Sequence, residues 1–243
     1  ESLKEKPKII IACGGDGTIN EVASCLVHSN VIFGIIPMGS GNGLASNLSI
    51  PKNILKALKI INNEKTLKID TGTINDKPFF SNMGIGFDAQ VISDFNKTEK
   101  RKLWSYFTSV VKTIFHYDYS KEFEIVMNNK KEIIRPFLFF VSNSNEMGYS
   151  MSLTPKASLQ DGFFDVIIVP KLSFIKMILF TLLLFAKKHY WLQDVSMIKT
   201  DTILIRNKDS IGFRFQKDGE CIKIRNNSLE IKLHKKSLTV LVH

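Results

Sequence analysis

Asp16 sits among glycines in Ile9-Ile10-Ile11-Ala12-Cys13-Gly14-Gly15-Asp16-Gly17-Thr18, where a short apolar run breaks into a turn and then becomes helical. Gly14, Gly15 and Gly17 can take φ > 0 and carry no Cβ. Their amides can therefore approach an anion closely, and the N-terminus of a following helix adds positive partial charge. This is the chemistry of a phosphate loop. A carboxylate there would repel phosphate unless it meets a ribose hydroxyl, a cation or a transferable proton, so Asp16 points to phosphoryl chemistry. The plainer alternative is a tight turn that happens to carry a surface Asp. A second loop weakens that alternative: the apolar run Val31-Ile32-Phe33-Gly34-Ile35-Ile36-Pro37 leads into Met38-Gly39-Ser40-Gly41-Asn42-Gly43-Leu44-Ala45, again with closely spaced glycines and small polar groups.

These loops need strands and helices to hold them. Thr18 and Glu21 stand at capping-box spacing, and Ile19, Val22, Ala23, Leu26 and Val27 follow a helical period. Two loops that each follow a buried strand would both lie at the carboxyl edge of an open parallel sheet, where α/β proteins bind nucleotides. A further helix is predicted over residues 51–62, with Pro51 in its first turn and Ile54, Leu55, Leu58 and Ile61 on one face. Near Asp70 the pattern changes to two-residue alternation with hairpin signals at Asn75-Asp76, Asn128-Asn129 and Asn226-Asn227, and Asp218-Gly219 reads as a tight hairpin end. Helical interruptions are expected over residues 103–115 and 174–188. The chain therefore divides into an α/β part, residues 1–69, and a β-rich part, residues 70–243, whose last strand could return to the first.

Five segments in order resemble the diacylglycerol kinase catalytic domain family, which includes bacterial lipid kinases and the sphingosine and ceramide kinases. They are Gly14 to Thr18, Pro37-Met38-Gly39-Ser40-Gly41-Asn42, Asn82-Met83-Gly84-Ile85-Gly86-Phe87-Asp88, Asp161-Gly162-Phe163-Phe164-Asp165, and Asp218-Gly219-Glu220. NAD kinases and phosphofructokinases carry loops like the first, so it is the set of five that points to lipid kinases. The resemblance implies an α/β nucleotide-binding domain with an open, mainly parallel sheet, a β-rich, sandwich-like second domain, and an active site in the cleft between them. The family places a strand, a further phosphate loop and a helix ahead of the first motif, so the chain is expected to be N-terminally truncated.

By the same resemblance, Gly14, Gly15, Asp16, Gly17 and Thr18 line the nucleotide phosphates and the reactive centre, and Ser40 and Asn42 help hold the nucleotide. ATP and Mg2+ are the implied cofactors. Glu220 or Asp218 would accept the lipid hydroxyl proton, the other orienting a magnesium-bound water. Asp161, Ser158 and Phe163 map onto a structural magnesium site built from a side chain and backbone carbonyls, hard oxygen donors that suit that ion. Asp88 would contact the lipid head group or the magnesium-water network. Many bacterial relatives have an Asp directly after the Asn of the second loop. Here Gly43 stands in that place, and Ser40-Gly41-Asn42-Gly43 looks more like the sphingosine and ceramide kinase branch.

Composition agrees with a two-domain enzyme. The 243 residues are 44% hydrophobic and carry a formal charge of +10, which attracts polyanions: ATP, nucleic acid or an anionic membrane. No RNA-binding or helix-turn-helix signature appears, so nucleic acid is not the expected partner. The densest basic run, residues 97–102, includes Glu99 and is read as a solvated face. Cys13, Cys25 and Cys221 lack metal-ligand spacing, which suits a reduced, cytoplasmic protein, with Cys13 and Cys25 expected to pack. Residues 174–186 are the most apolar segment. Bounded by Lys176, Lys187 and Lys188, the segment is too short to span a bilayer, leaving a core helix or an interfacial one flanked by His189 and Trp191.

The expected activity is thus transfer of the γ-phosphoryl group of ATP to a lipid hydroxyl at an anionic membrane surface, by a peripherally attached protein for which a homodimer is allowed. Diacylglycerol is the first acceptor to test, a sphingoid base or ceramide the next. The rivals are an NAD kinase-like enzyme, which leaves Ser40-Gly41-Asn42 and the apolar helix without a role, and a non-catalytic lipid- or nucleotide-binding module.

Overall fold

A computed structural model describes residues 2–95, 117–145, 152–208 and 212–243. The chain forms two compact units: Glu1–Ser81 with Asn143–Phe163 and Lys232–His243, and Asn82–Ser142 with Phe164–Ile231. The expected classes hold, α/β for the first and β-rich for the second.

The first unit contains β1 (Ile9–Gly14), α1 (Asp16–Leu26), β2 (Ile32–Pro37), α2 (Gly43–Asn47), α3 (Ile54–Asn62), β3 (Thr66–Ile74) and β4 (Lys77–Phe79). It also takes the C-terminal part of the last strand, β14 (Ser228–Leu241). β1 and β2 are parallel with Gly14 opposite Pro37, so both glycine-rich loops leave the same carboxyl edge. β14 runs parallel to β2 on its other side, Val240 opposite Phe33. α1 buries Ile19, Ala23 and Leu26 as its spacing predicts, against a core that includes Ala12, Phe33 and Ile35. Burying each such large side chain stabilises by roughly 1.5–3 kcal/mol.

Three expectations change in this unit. α3 starts at Ile54, capped by the Asn53 side chain, which accepts the Lys56 amide at 3.1 Å, so Pro51 precedes the helix. Its buried residues are Ala57 and Ile60, while Ile54, Leu55 and Leu58 are exposed, so the side that meets the core is rotated from the expected stripe. Cys13 and Cys25 are exposed rather than packed. The boundary placed near Asp70 falls inside β3, and the first unit continues to Ser81. Asp70 is buried and tied to two other segments of that unit, so the chain cannot part there.

The second unit contains β5 (Asn82–Gly86), α4 (Phe87–Phe95), β6 (Phe123–Met127), β7 (Lys130–Ile134), β8 (Pro136–Ser142), β9 (Phe164–Pro170), α5 (Phe174–Phe185), β10 (Ser196–Thr200), β11 (Thr202–Asn207), β12 (Phe213–Lys217) and β13 (Glu220–Ile224). One sheet has the order β10-β9-β8-β5-β12-β13, every neighbouring pair antiparallel. β8 is buried along its whole length, which explains its unbroken apolar run. In the other sheet β11 pairs with β6 and β6 with β7, whose lysines and Glu132 guard an exposed strand. Asn75-Asp76, Asn128-Asn129 and Asp218-Gly219 all have positive φ at both turn positions, the hairpin geometry their sequences predict. Asn226-Asn227 makes no such hairpin. β13 and β14 belong to different sheets, and the Asn227 carbonyl accepts the Asn207 amide at 2.8 Å. The helix expected over residues 103–115 and the basic run at 97–102 lie outside the described residues. No described helix is long and apolar enough to cross a membrane.

Candidate active site

In the first unit, the two glycine-rich loops are fastened together by Asp16. Its Oδ2 accepts the Asn42 amide at 2.8 Å and its Oδ1 the Gly43 amide at 2.7 Å. This is a partner that sequence reasoning did not consider: the carboxylate among the amides answers the other loop. The glycines serve the same contact. A Cβ on Gly39 would come within 2.6 Å of the Gly15 Cα, and one on Gly41 within 2.6 Å of Asp16 Oδ2. Gly14, Gly15 and Gly17 do not use positive φ, contrary to the freedom expected of them. Gly14 is required because the Thr18 side chain lies over it, 2.8 Å from where a Cβ would be.

α1 begins at Asp16 with Gly15 as an extended N-cap and no side-chain cap, so Thr18 lies within the first turn and the Thr18–Glu21 capping box does not form. The first carbonyl used is that of Gly15, which accepts from Ile19. Gly17 and Thr18 are exposed at this end, and no atom lies within 4 Å of a Cβ built on Gly17. Open first-turn amides of this kind suit a phosphate. Asn42 is buried in a left-handed conformation; its Oδ1 accepts the Gly39 amide at 2.9 Å and its Nδ2 donates to the Gly39 carbonyl at 2.6 Å. Asn42 therefore shapes the second loop from within. Ser40 is exposed, its carbonyl accepting from Lys52 Nζ at 2.9 Å.

The predicted metal loop is shaped by its own side chains. Asp161 Oδ1 accepts the Phe163 amide at 3.2 Å and Ser158 Oγ accepts the Gln160 amide at 3.3 Å, two local turns. The Lys235 ammonium stands 5.2 Å from the Phe163 ring centre. The described residues form no group of three His, Cys, Asp or Glu, so an ion here would take the Asp161 carboxylate with the backbone carbonyls of Ser158 and Phe163. The loop is ordered by Asp70, which the sequence did not mark as a site: Oδ2 accepts the Gly162 amide at 2.8 Å and Oδ1 the Lys236 amide at 2.7 Å. Buried Asn143 supports it, donating to the carbonyls of Asp70 at 2.8 Å and Phe80 at 3.2 Å.

In the second unit, the β12–β13 turn separates the two acids that sequence reasoning left equivalent. Asp218 exchanges two hydrogen bonds with Asn82: its Oδ1 accepts the Asn82 amide at 3.0 Å, and its own amide donates to the Asn82 carbonyl at 2.9 Å. Glu220 is exposed, and no described residue hydrogen-bonds its carboxylate. Gln216, buried, ties the turn to the sheet. Its Oε1 accepts the Gly219 amide at 3.0 Å and its Nε2 donates to Asn82 Oδ1 at 2.8 Å.

Gln216 also bonds Asp88, whose carboxyl is pushed up to about 7 by burial, the Gln216 bond pulling the other way. Asp88 is 5% exposed, in the first turn of α4, and its Oδ2 has no partner among the described residues. A Cβ on Gly84 would come within 2.5 Å of that oxygen, so Gly84 makes its room. Asp88 is expected to meet a lipid head group or the magnesium-water network; within its unit it is buried and bonded to Gln216. Gln216 is absent from the sequence-level candidates, and its only signal was an inward-facing place in a strand just before Asp218.

Residues 1–74 match the model of the diacylglycerol kinase catalytic domain, and residues 81–242 that of the YegS C-terminal NAD kinase beta sandwich-like domain. Diacylglycerol kinase of Staphylococcus haemolyticus is 30% identical over 174 residues, 70% of this chain and 52% of its own length. Diacylglycerol kinase of Staphylococcus aureus is 29% identical over 174 residues, 70% and 55% respectively. The chain thus spans about half the length of these relatives. A diacylglycerol kinase structure from Bacillus anthracis superposes with a TM-score of 0.71 at 20% identity, covering 100% of this chain and 79% of that one. A further structure from that organism reaches 0.81 at 23% identity. An NAD kinase from Archaeoglobus fulgidus in complex with ATP reaches 0.51 at 11% identity, covering 98% and 78%. These superpositions concern the fold.

Proposed function

The chain belongs to the diacylglycerol kinase-like family that joins a catalytic domain to a YegS-type β-sandwich, and we propose that it transfers the γ-phosphoryl group of MgATP to a hydroxyl of a membrane lipid, diacylglycerol first. The observation that carries the proposal is the pair of glycine loops at one sheet edge, locked by Asp16 through the Asn42 and Gly43 amides beside the open first turn of α1.

In this proposal the Gly17 and Thr18 amides receive nucleotide phosphate, with the exposed Ser40 beside the second loop as a further contact. Asp16 and Asn42 are positioning residues, because their polar atoms are engaged in holding loop shape. Magnesium enters with ATP as part of that substrate and offsets the charge of the transferred group. Glu220 is the base. Its carboxylate takes the proton of the lipid hydroxyl as that oxygen bonds to the γ-phosphorus, and the bond to the β-γ bridging oxygen breaks to release ADP. Asp218 fixes the turn that presents Glu220, through Asn82.

The test is transfer from γ-labelled MgATP to diacylglycerol, ceramide, sphingosine and NAD, the lipids in mixed micelles. Label in a lipid supports the proposal and selects the acceptor class. Label in NAD alone transfers the protein to the soluble-substrate reading. Nucleotide binding with no transfer to any acceptor leaves the binding-module reading.

A further inference from the structure

α5 is the most apolar of the described helices, yet of its twelve residues only Phe180 is buried. Phe174 is 75% exposed, Ile175 78%, Leu182 63% and Phe185 66%, with Ile178 at 48% and Leu179 at 43%. These positions recur every three or four residues and form one stripe along the helix. Single exposed leucines are ordinary; a contiguous stripe marks a surface that something covers.

The surroundings of the stripe indicate what covers it. Residues 171–193 contain Lys171, Lys176, Lys187 and Lys188 and no Asp or Glu. Lys176 is turned to the protein, its Nζ 2.8 Å from both carboxylate oxygens of Asp194. Lys187 and Lys188 follow the C-terminal end of the helix, and the Lys188 ammonium stands 4.6 Å from the ring centre of Trp191, itself 62% exposed. The patch is therefore apolar along its length, with aromatic and cationic groups at its end. A twelve-residue helix is about 18 Å long, short of the roughly 30 Å hydrocarbon core. Lying in the interface it meets every requirement of the site: apolar side chains reach the acyl boundary, and Trp191 and the lysines stay among head-group phosphates. A second copy fits less well. Two-fold packing on this stripe would set the acid-free, lysine-bearing segments 171–193 of two chains, each of formal charge +10, against one another.

We propose that α5 with Lys187, Lys188 and Trp191 is the surface by which the protein docks on an anionic bilayer. The inference gives the lipid-kinase reading its route to substrate and rests on that reading for its purpose, but docking is measured without catalysis. The probe is sedimentation with phosphatidylcholine vesicles, with and without phosphatidylglycerol, for the unaltered protein, an apolar variant (Ile175→Ser, Leu182→Ser, Phe185→Ser) and a charge variant (Lys187→Glu, Lys188→Glu). All five positions lie at the surface patch, and circular dichroism checks each fold.

The expected result is binding to the anionic vesicles that weakens with salt and falls about tenfold or more in each variant. Label transfer to diacylglycerol in detergent micelles stays unchanged in both. Equal vesicle binding by the unaltered protein and both variants overturns the docking surface. So does conversion of a dimer to a monomer in the apolar variant with vesicle binding kept, which assigns the stripe to a second copy. Docking lost as expected with no lipid phosphorylated by any form supports the surface and overturns the kinase reading; phosphorylation retained with no role for α5 in binding does the reverse.

Discussion

Asp16 Oδ1 and the Gly43 amide are 2.7 Å apart across 27 residues of sequence, and this bond with its partner from Asn42 holds one glycine loop against the other. The carboxylate that looks misplaced in a phosphate loop is there for neighbouring backbone.

Asp16→Asn therefore acts on structure as well as on turnover. One amide oxygen can replace one carboxylate oxygen, but the new NH2 must face a backbone N–H. We expect a stability loss of about 1–3 kcal/mol together with loss of phosphoryl transfer. Urea unfolding alongside a transfer assay checks it; unchanged stability would show that the two loops hold without the carboxylate.

Gly39→Ala and Gly17→Ala separate loop packing from ligand approach. The new Cβ at position 39 would meet the Gly15 backbone at 2.6 Å, whereas nothing lies within 4 Å of one at position 17. Gly39→Ala is expected to destabilise by about 1–3 kcal/mol. Gly17→Ala should keep or raise the melting temperature, since Ala favours the helix, while weakening ATP binding measured by calorimetry. Equal stability of the two variants counts against the packing argument.

Glu220→Gln and Asp218→Ala should fail in different ways. Removing an exposed base is expected to lower kcat by about 10²–10⁴ with no change in stability. Asp218 has φ +47 and a side chain bonded to the Asn82 amide, so its truncation loses the bond and strains the turn, at a cost of about 1–3 kcal/mol. Paired kinetics and thermal melts decide the matter, and a stable, inactive Asp218→Ala with an active Glu220→Gln reverses the roles.

Asp88 makes stability depend on pH. Its carboxyl rises from an ordinary 3.8 to about 7 in the folded state, so folding takes up a proton between those values. The contribution is fully present below pH about 4 and is lost as pH rises through about 7, at about 1.4 kcal/mol per pH unit at the steepest. Asp88→Asn, which mimics the protonated acid, should exceed the unaltered protein in stability above pH 7 and lose that advantage near pH 4. Denaturant titrations at several pH values test this, and parallel stability curves would refute it. Arg214, whose Nη1 bonds Gln90 and Ser93 on α4, is the cation to hold constant.

The elements that were legible in the sequence are those fixed by local chemistry. α1 followed from apolar spacing, and the turns at Asn75-Asp76, Asn128-Asn129 and Asp218-Gly219 from residues that tolerate positive φ. α3 misled because its apolar residues run nearly round the helix, so spacing alone does not say that the side of Ala57 and Ile60 meets the core rather than the side of Ile54, Leu55 and Leu58. Asn226-Asn227 misled because a turn-forming pair does not reveal whether the next strand pairs with the one just finished.

The two classes of structure and the motifs that place the chain in its family are written in local residue patterns, since periodicity and turn chemistry act over a few residues. Which acids are occupied is set by the folded chain. Asp16 answers amides near position 42, Asp70 joins β3 to Gly162 and Lys236, and Asp218 clasps Asn82, while Glu220 keeps its carboxylate in solvent and Asp88 lies beneath Gly84. Every one of those distinctions depends on a partner distant in the chain or on burial, and a carboxylate takes its chemistry from what surrounds it rather than from its neighbours in sequence.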